Sequence, residues 1–315
     1  MRAEVSETIA GTDFDALLAR IAEDVRPLVS QGKVASYIPR LAQVPVERFG
    51  MAVATLDGRR FSIGDAGTAF SIQSISKVFS LSMALDALGG DLWQRVGREP
   101  SGSPYNSLVQ LEDECGIPRN PFINAGALVV ADVVLSKRRD GLDALLAFIR
   151  ERAGNPDIGV DTDVAESEAL AGFRNAALTN FIRSFGNIEQ PVEDVLDFYF
   201  RQCAIAMSCE DLALAFLHQA DGGRCRRTGV QVISPVRARR INSLMLTCGT
   251  YDAAGDFAFH VGLPAKSGVG GGIAAVVPGA LALAVWSPGL DERGNSLAGT
   301  AALARFTELT GWSIF

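Results

Sequence analysis

Apolar residues recur at three- and four-residue intervals over 13–31, where Leu17, Leu18, Ile21, Val25 and Leu28 form one stripe. That spacing predicts an amphipathic helix, capped by Thr12 or Asp13 and stopped at Gly32. The period then falls to two. Residues 51–56 and 60–63 flank Asp57-Gly58, a dipeptide that tolerates the positive φ of a tight turn, and read as a β-hairpin. From residue 74 to about 223 the pattern is mostly helical, with apolar helices expected over 74–88, 125–135, 142–152, 176–185, 192–202 and 209–219. Another helix follows Ser234-Pro235, a cap with proline at the first helical position, and ends at Gly249. Beyond it, 257–261, 272–277 and 281–286 are alternating or continuous apolar runs separated by Gly and Pro, which predicts neighbouring antiparallel strands. A last helix is expected over 296–309.

Strands near both ends with helices between them predict an α+β fold: an antiparallel sheet built from both chain termini, flanked by helices, with an all-helical subdomain inserted. With no repeat and no low-complexity linker, residues 1–315 read as one catalytic domain, its sheet subdomain over about 1–70 and 225–315 and its helical subdomain over about 71–224. An apolar fraction of 48% with 21% charged residues fits a globular chain with a sizeable core, and the net charge of -7 argues against a nucleic-acid partner. The start carries Glu4 and Glu7 and no apolar run, so no secretory signal is read and a cytoplasmic location is expected. The longest apolar stretch, 272–286, is cut by Pro278-Gly279 and falls short of the roughly 20 residues of a bilayer span, so no membrane partner is expected. Five cysteines without C-x-x-C spacing and two histidines predict reduced thiols and no metal site.

Only Lys33, Lys77, Lys137 and Lys266 are lysine among the 29 cations. Two of them follow a serine by three residues, where chance placement gives about 0.3 such pairs, so the spacing is weak and context decides. In Ser30-Gln31-Gly32-Lys33 the glycine ends a helix and the lysine reads as a solvated charge. In Ser74-Ile75-Ser76-Lys77 the chain continues as an apolar helix, which stacks Ser74 and Lys77 one turn apart and buries the ammonium. Either burial depresses the lysine pKa and makes it a base for the Ser74 proton, or the lysine snorkels outward or pairs with a structural carboxylate. The second distinctive lysine opens Lys266-Ser267-Gly268, followed by Val269 and Gly270-Gly271-Gly272. A phosphate loop would need glycine before the Lys-Ser pair and a helix after it; Ala265 precedes and strand-like sequence follows. Lys-Ser-Gly before an apolar strand instead looks like the Lys-Thr-Gly element that works with a Ser-x-x-Lys helix in serine β-lactamases and penicillin-binding proteins.

Ser36-Tyr37-Ile38-Pro39, Gln73 with the Ser-x-x-Lys helix, Asn120-Pro121-Phe122-Ile123-Asn124-Ala125-Gly126-Ala127, Ser167-Glu168 with Arg174-Asn175, Phe198-Tyr199-Phe200, Cys248-Gly249-Thr250-Tyr251-Asp252 and the 262–272 segment together resemble the serine-dependent glutaminase family. The match spans roughly residues 30–300. It implies a β-lactamase-like fold and hydrolysis of L-glutamine to L-glutamate and ammonia through a glutamyl ester on Ser74, with Lys77 and Tyr251 handling its proton and the N–H groups of Ser74 and Val269 receiving the oxyanion. It also implies Glu168 as the partner of the substrate α-ammonium, with Tyr37, Gln73, Asn124, Asn175 and Tyr199 completing the pocket, no metal or organic cofactor, and a homo-oligomer, suspected to be a tetramer. Taken singly, these residues have plainer readings: Glu168 falls in an acidic stretch with Asp161, Asp163 and Glu166, Asn124 or Asn175 can cap a helix, and Tyr37, Tyr105, Tyr199 and Tyr251 can be core or rim aromatics. Ser-x-Asn and Tyr-x-Asn are missing between the two lysine motifs, which speaks against a penicillin-recognising enzyme; a binding protein that lost turnover is the non-enzyme alternative.

Overall fold

The computed structural model describes residues 9, 11–102 and 107–315; the acidic start with Glu4 and Glu7, and Tyr105, lie outside the described residues. Helix α1 (Phe14–Val25) is capped by Asp13, whose carboxylate accepts from the Ala16 N–H at 3.0 Å. It is shorter than its stripe predicts, because Pro27 has no N–H to continue the ladder and the chain tightens into a 3-10 turn over Arg26–Leu28. The hairpin forms as expected, β1 (Gly50–Thr55) against β2 (Arg60–Gly64), with Ala54 opposite Arg60.

After β3 (Phe70–Ser71) and a 3-10 turn at Gln73–Ile75 come α2 (Ser76–Leu88), α3 (Val109–Asp113), α4 (Asn124–Lys137), α5 (Gly141–Ala153), β4 (Gly159–Val160), α6 (Thr162–Leu170), α7 (Phe173–Ser184), α8 (Val192–Cys203), β5 (Ile205–Met207), α9 (Cys209–Ala220) and α10 (Pro235–Cys248). The chain returns through α11 (Ala254–His260), β6 (Ala265–Ser267), β7 (Gly272–Val277) and β8 (Leu281–Trp286), and α12 (Leu297–Thr310) follows. One expected strand, over 257–261, is instead the end of α11. Phe257 and Val261 lie four apart and are both buried, whereas Phe259 between them is exposed, so helical spacing is what buries this segment.

The main sheet runs β2-β1-β8-β7-β6, every pair antiparallel, with Gly50 and Gly272 both opposite Trp286. The strands from the two ends of the chain thus share one sheet in the α+β, β-lactamase-like arrangement. Its central strands look continuously apolar because both faces are covered. Met51, Val53, Ile273, Leu281, Leu283 and Val285 point to one side and pack with Phe14, Leu18, Leu303 and Phe306 of α1 and α12. Each such buried side chain contributes about 1.5–3 kcal/mol. Ala52, Ala54, Ala274, Ala282 and Ala284 point to the other side, and these small residues let α9 lie close across β1, β7 and β8. α9 in turn carries α2, α5 and the helical region on its far side.

A second, three-stranded sheet, β3-β5-β4, is too short to leave a period in the sequence. It pairs Ser71 with Ala206 and Gly159 with the same Ala206, and so joins the segment before α2 to the segments around α6 and α8.

Candidate active site

The small sheet sets the backbone that leads to Ser74. The Ile72 N–H donates to the Ile205 carbonyl at 2.9 Å, and the Ser71 hydroxyl donates to the Cys203 carbonyl at 2.9 Å while accepting from the Gln73 amide at 2.9 Å. Gln73 is thereby held at φ +49°, a left-handed conformation that costs a non-glycine residue on the order of 1–3 kcal/mol and persists only where its surroundings impose it. The turn sets Ser74 on the wall of a cavity immediately before α2.

Lys77, three residues on, is only 1% exposed. Its Nζ donates to the Phe122 carbonyl at 3.1 Å and to Asn124 Oδ1 at 2.8 Å, and it lies 5.7 Å from the Tyr199 ring centroid. Burial of the ammonium, opposed in part by the Glu168 carboxylate, brings its pKa down to about 8. A neutral amine has two N–H donors, and both acceptors are in place, so deprotonation leaves one lone pair for a third partner. Asn124 is fixed by the same network, since its Nδ2 donates to Asn175 Oδ1 at 3.0 Å. The two asparagines are therefore linked side chain to side chain across α4 and α7. Neither side chain caps its helix.

Glu168 does not lie on an acidic surface loop. Asp161 caps α6, and about two turns later Glu168 points inward and is buried. Its Oε1 has no hydrogen-bond partner among the described residues, and burial raises its pKa to about 7 against the opposing pull of Gln73 and Lys77. An unpaired buried carboxylate oxygen is costly, and a cationic ligand would offset that cost.

One cavity of about 110 Å³ is lined by Tyr37, Gln73, Ser74, Asn124, Glu168, Asn175, Tyr199, Tyr251 and Val269, which is nine of the ten residues singled out in the sequence; Lys77 touches it from below through Asn124. Tyr37 is 55% exposed and stands at the mouth, whereas Tyr199 and Tyr251 are buried walls. Tyr251 sits at φ +59°, so its backbone is strained like that of Gln73. Burial drives the Tyr199 hydroxyl well above the usual tyrosine range and the Cys203 thiol, also on the wall, up to about 12; Cys203 therefore stays protonated, which leaves Ser74 as the nucleophile candidate.

The glycines after β6 form the tight turn expected of them, with the Gly268 N–H donating to the Gly272 carbonyl at 2.9 Å. A Cβ on Gly268 would stand 2.5 Å from the Ile72 carbonyl and 3.2 Å from the Ser74 nitrogen, and one on Gly270 would stand 2.3 Å from the Ser71 carbonyl. This contact without side chains brings the Val269 backbone beside Ser74. The Val269 N–H has no acceptor among the described residues.

Sequence reasoning marked Lys266 as an element but gave it no role in the site. Lys266 is fully buried, its Nζ donating to the Gly249 carbonyl at 2.8 Å and the Ser267 carbonyl at 2.6 Å, 4.2 Å from the Tyr251 ring centroid. Burial, then the charge of Lys77, lowers its pKa strongly. Its rarity among the cations was the available signal. Ile38 and Arg174, which lie within the quoted motifs but were given no role, also line the cavity, as do Ala171, Gly172 and Cys203, which carry no local pattern that would have marked them.

The family model for glutaminases matches residues 32–315. A glutaminase of Streptomyces coelicolor is 59% identical over 304 residues, and one of Rhizobium johnstonii is 57% identical over 305; each alignment covers 96% of this chain and 99% of that protein. The solved structure of a probable glutaminase from Bacillus subtilis complexed with 6-diazo-5-oxo-L-norleucine is similar with a TM-score of 0.87 and 34% identity, covering 96% of this chain and 98% of that one.

Proposed function

The chain belongs to the glutaminase family and is an enzyme, and from that premise we propose that it hydrolyses the side-chain amide of L-glutamine to L-glutamate and ammonia through a glutamyl ester on Ser74. One observation carries the reading: Ser74 and Glu168, whose buried Oε1 has no hydrogen-bond partner among the described residues, line the same small cavity with neutral donors and Arg174, which suits a zwitterion with a reactive amide at its far end. The inhibitor complex of the Bacillus subtilis relative supports an amino-acid-sized occupant.

Ser74 Oγ bonds to the amide carbon as its proton passes to the Lys77 amine, directly or through Tyr251. The oxyanion is received by the N–H groups of Ser74 and Val269, each such donor contributing about 3 kcal/mol. The tetrahedral intermediate collapses, the C–N bond breaks, and the stored proton leaves with ammonia. Water then adds to the ester, again giving up its proton to the same base, and the C–Oγ bond breaks as that proton passes to Ser74 Oγ, which frees glutamate and restores the hydroxyl and the neutral amine. Glu168 holds the α-ammonium throughout, with Tyr37, Gln73, Asn124, Asn175 and Tyr199 around the rest of the molecule. The proposal includes one catalytic domain of a sheet part and a helical part, a cytoplasmic location and a tetramer. No described helix is long and apolar enough to cross a membrane.

Ammonia release from glutamine, run beside asparagine and a chromogenic β-lactam, tests the activity; turnover of the β-lactam without turnover of glutamine overturns it. Glu168→Gln is expected to raise KM for glutamine about 10–100-fold while kcat changes far less, because its partner is the unreacting ammonium. A normal KM with a collapsed kcat would place Glu168 in proton transfer instead. Gly268→Ala is expected to lower kcat about 100-fold, since its Cβ must push the Val269 turn away from Ser74 and displacements near 1 Å have that effect. An unchanged kcat in a folded Gly268→Ala enzyme would remove Val269 from the oxyanion site.

A further inference from the structure

Lys266 takes no part in the chemistry written for Ser74, yet it is fully buried, and no carboxylate pairs with it among the described residues. Stripping an amine of its hydration is costly, and a methionine of similar length would fill the same space without that cost. The side chain therefore needs a reason other than packing.

Its two hydrogen bonds go to two different segments of the site. The Gly249 carbonyl, at 2.8 Å from Nζ, lies two residues before Tyr251, and the Ser267 carbonyl, at 2.6 Å, lies two residues before Val269. The same Nζ stands 4.2 Å from the Tyr251 ring centroid. Lys266 itself does not line the Ser74 cavity, so any effect it has on the reaction passes through its neighbours.

Both segments need holding. α10 ends at Cys248, and the chain tightens into a 3-10 turn over Tyr251–Ala253 with Tyr251 at φ +59°, a conformation that persists only where its surroundings impose it. β6 is an edge strand of the main sheet, and the segment that docks beside it is the end of α10, through the Ser267 N–H to the Gly249 carbonyl at 3.2 Å and the Ser267 hydroxyl to the same carbonyl at 3.4 Å. Those two bonds are long, and Lys266 adds the short ones.

We propose that Lys266 is a positioning residue for the reaction: its Nζ clamps the Tyr251 segment to the Val269 segment, so that the phenol and the oxyanion N–H keep their places around Ser74 together. The inference rests on the roles proposed for Tyr251 and Val269 in glutamine hydrolysis. A neutral amine has two N–H donors, and both are used here, so the clamp does not require a charge. Burial, together with the charge of Lys77, favours that neutral form.

Steady-state kinetics and thermal unfolding of the full chain carrying Lys266→Met test the clamp. For glutamine, kcat should fall about 100-fold, the effect of a displacement near 1 Å, whereas KM should stay within about threefold because Glu168 is untouched. The thermal midpoint should stay level or rise, since an apolar side chain replaces a buried amine. In a Tyr251→Phe background the same change should lower kcat no more than about tenfold, because the phenol that it positions is already gone. Lys266→Gln, which keeps a donor, should lose less than Lys266→Met but at least about tenfold, and it carries the test if Lys266→Met does not fold. Parent-level kcat in either folded variant, with Tyr251→Phe impaired, overturns the clamp and leaves the reading of Ser74 standing. Equal losses in both backgrounds, a loss that comes with a fallen thermal midpoint, or failure of both variants to fold would make Lys266 a residue of the fold alone. Parent-level kcat in Tyr251→Phe would overturn the relay and the clamp with it.

Discussion

Ser74→Ala is expected to reduce glutamine turnover at least about 10⁴-fold while leaving the thermal midpoint and glutamate binding nearly unchanged. The change deletes one oxygen from a residue that supplies no counter-charge to the substrate, and the strained turn at Gln73 is built from Ser71, Cys203 and Ile205 rather than from the Ser74 hydroxyl. Ser30→Ala is the matched control, because it alters the other Ser-x-x-Lys copy. Ser30 and Lys33 are both exposed, and the chain there is tied to the rest by backbone bonds between Lys33 and Leu290. Its activity should stay at the parent level. Inactivation by Ser30→Ala, with Ser74→Ala active, would mean that the wrong copy had been chosen.

The second large effect concerns the base. Lys77→Ala and Tyr251→Phe are each expected to lower kcat about 10³-fold, roughly 4 kcal/mol, and the double mutant should be within about tenfold of the worse single one, because members of one proton relay are not additive. The pH profile supplies an independent sign. The Lys77 pKa is lowered to about 8, so below that pH the ammonium has no lone pair for the Ser74 proton; kcat should rise through about pH 8 and level off above it. In Lys77→Ala that rise should vanish. Glu168, raised to about 7, must be ionised to take the substrate ammonium, so kcat/KM should show an additional rise near pH 7. That step should fade from kcat itself, since bound substrate keeps the carboxylate charged. Additive losses with an unchanged profile would assign Lys77 and Tyr251 separate structural roles.

Much of this enzyme could be read in its sequence because the relevant signals are local. The stripe of α1, the Asp57-Gly58 hairpin, the Ser234-Pro235 start of α10 and the apolar runs of β7 and β8 depend on residues within a few positions of one another. The residue types of the Ser74 cavity were legible too, through the resemblance of separate short motifs to one family. Local signals failed where two periods coincide: Phe257, Phe259 and Val261 satisfy an alternation, but only packing shows that the pair four apart is buried and Phe259 is not. They also failed where an element is defined by its partner, as in β3, β4 and β5, strands of two or three residues that exist only because segments more than 40 residues apart pair.

The sequence by itself determined most of the order of helices and strands, and it singled out Ser74, just before an apolar helix, over Ser30 as the candidate nucleophile, since both follow from side-chain period and near neighbours. Only the tertiary structure decided the chemistry of the ionisable groups. Glu168 lies among acidic residues along the chain, yet the burial of its face of α6 is what raises its carboxyl toward neutrality and leaves one oxygen unpaired. Lys77 and Lys266 are ordinary lysines in the sequence, and desolvation by residues from distant segments lowers both. Desolvation depends on what surrounds a group in three dimensions, and the chain brings those surroundings together only when the two ends of the sheet and the helices between them have closed.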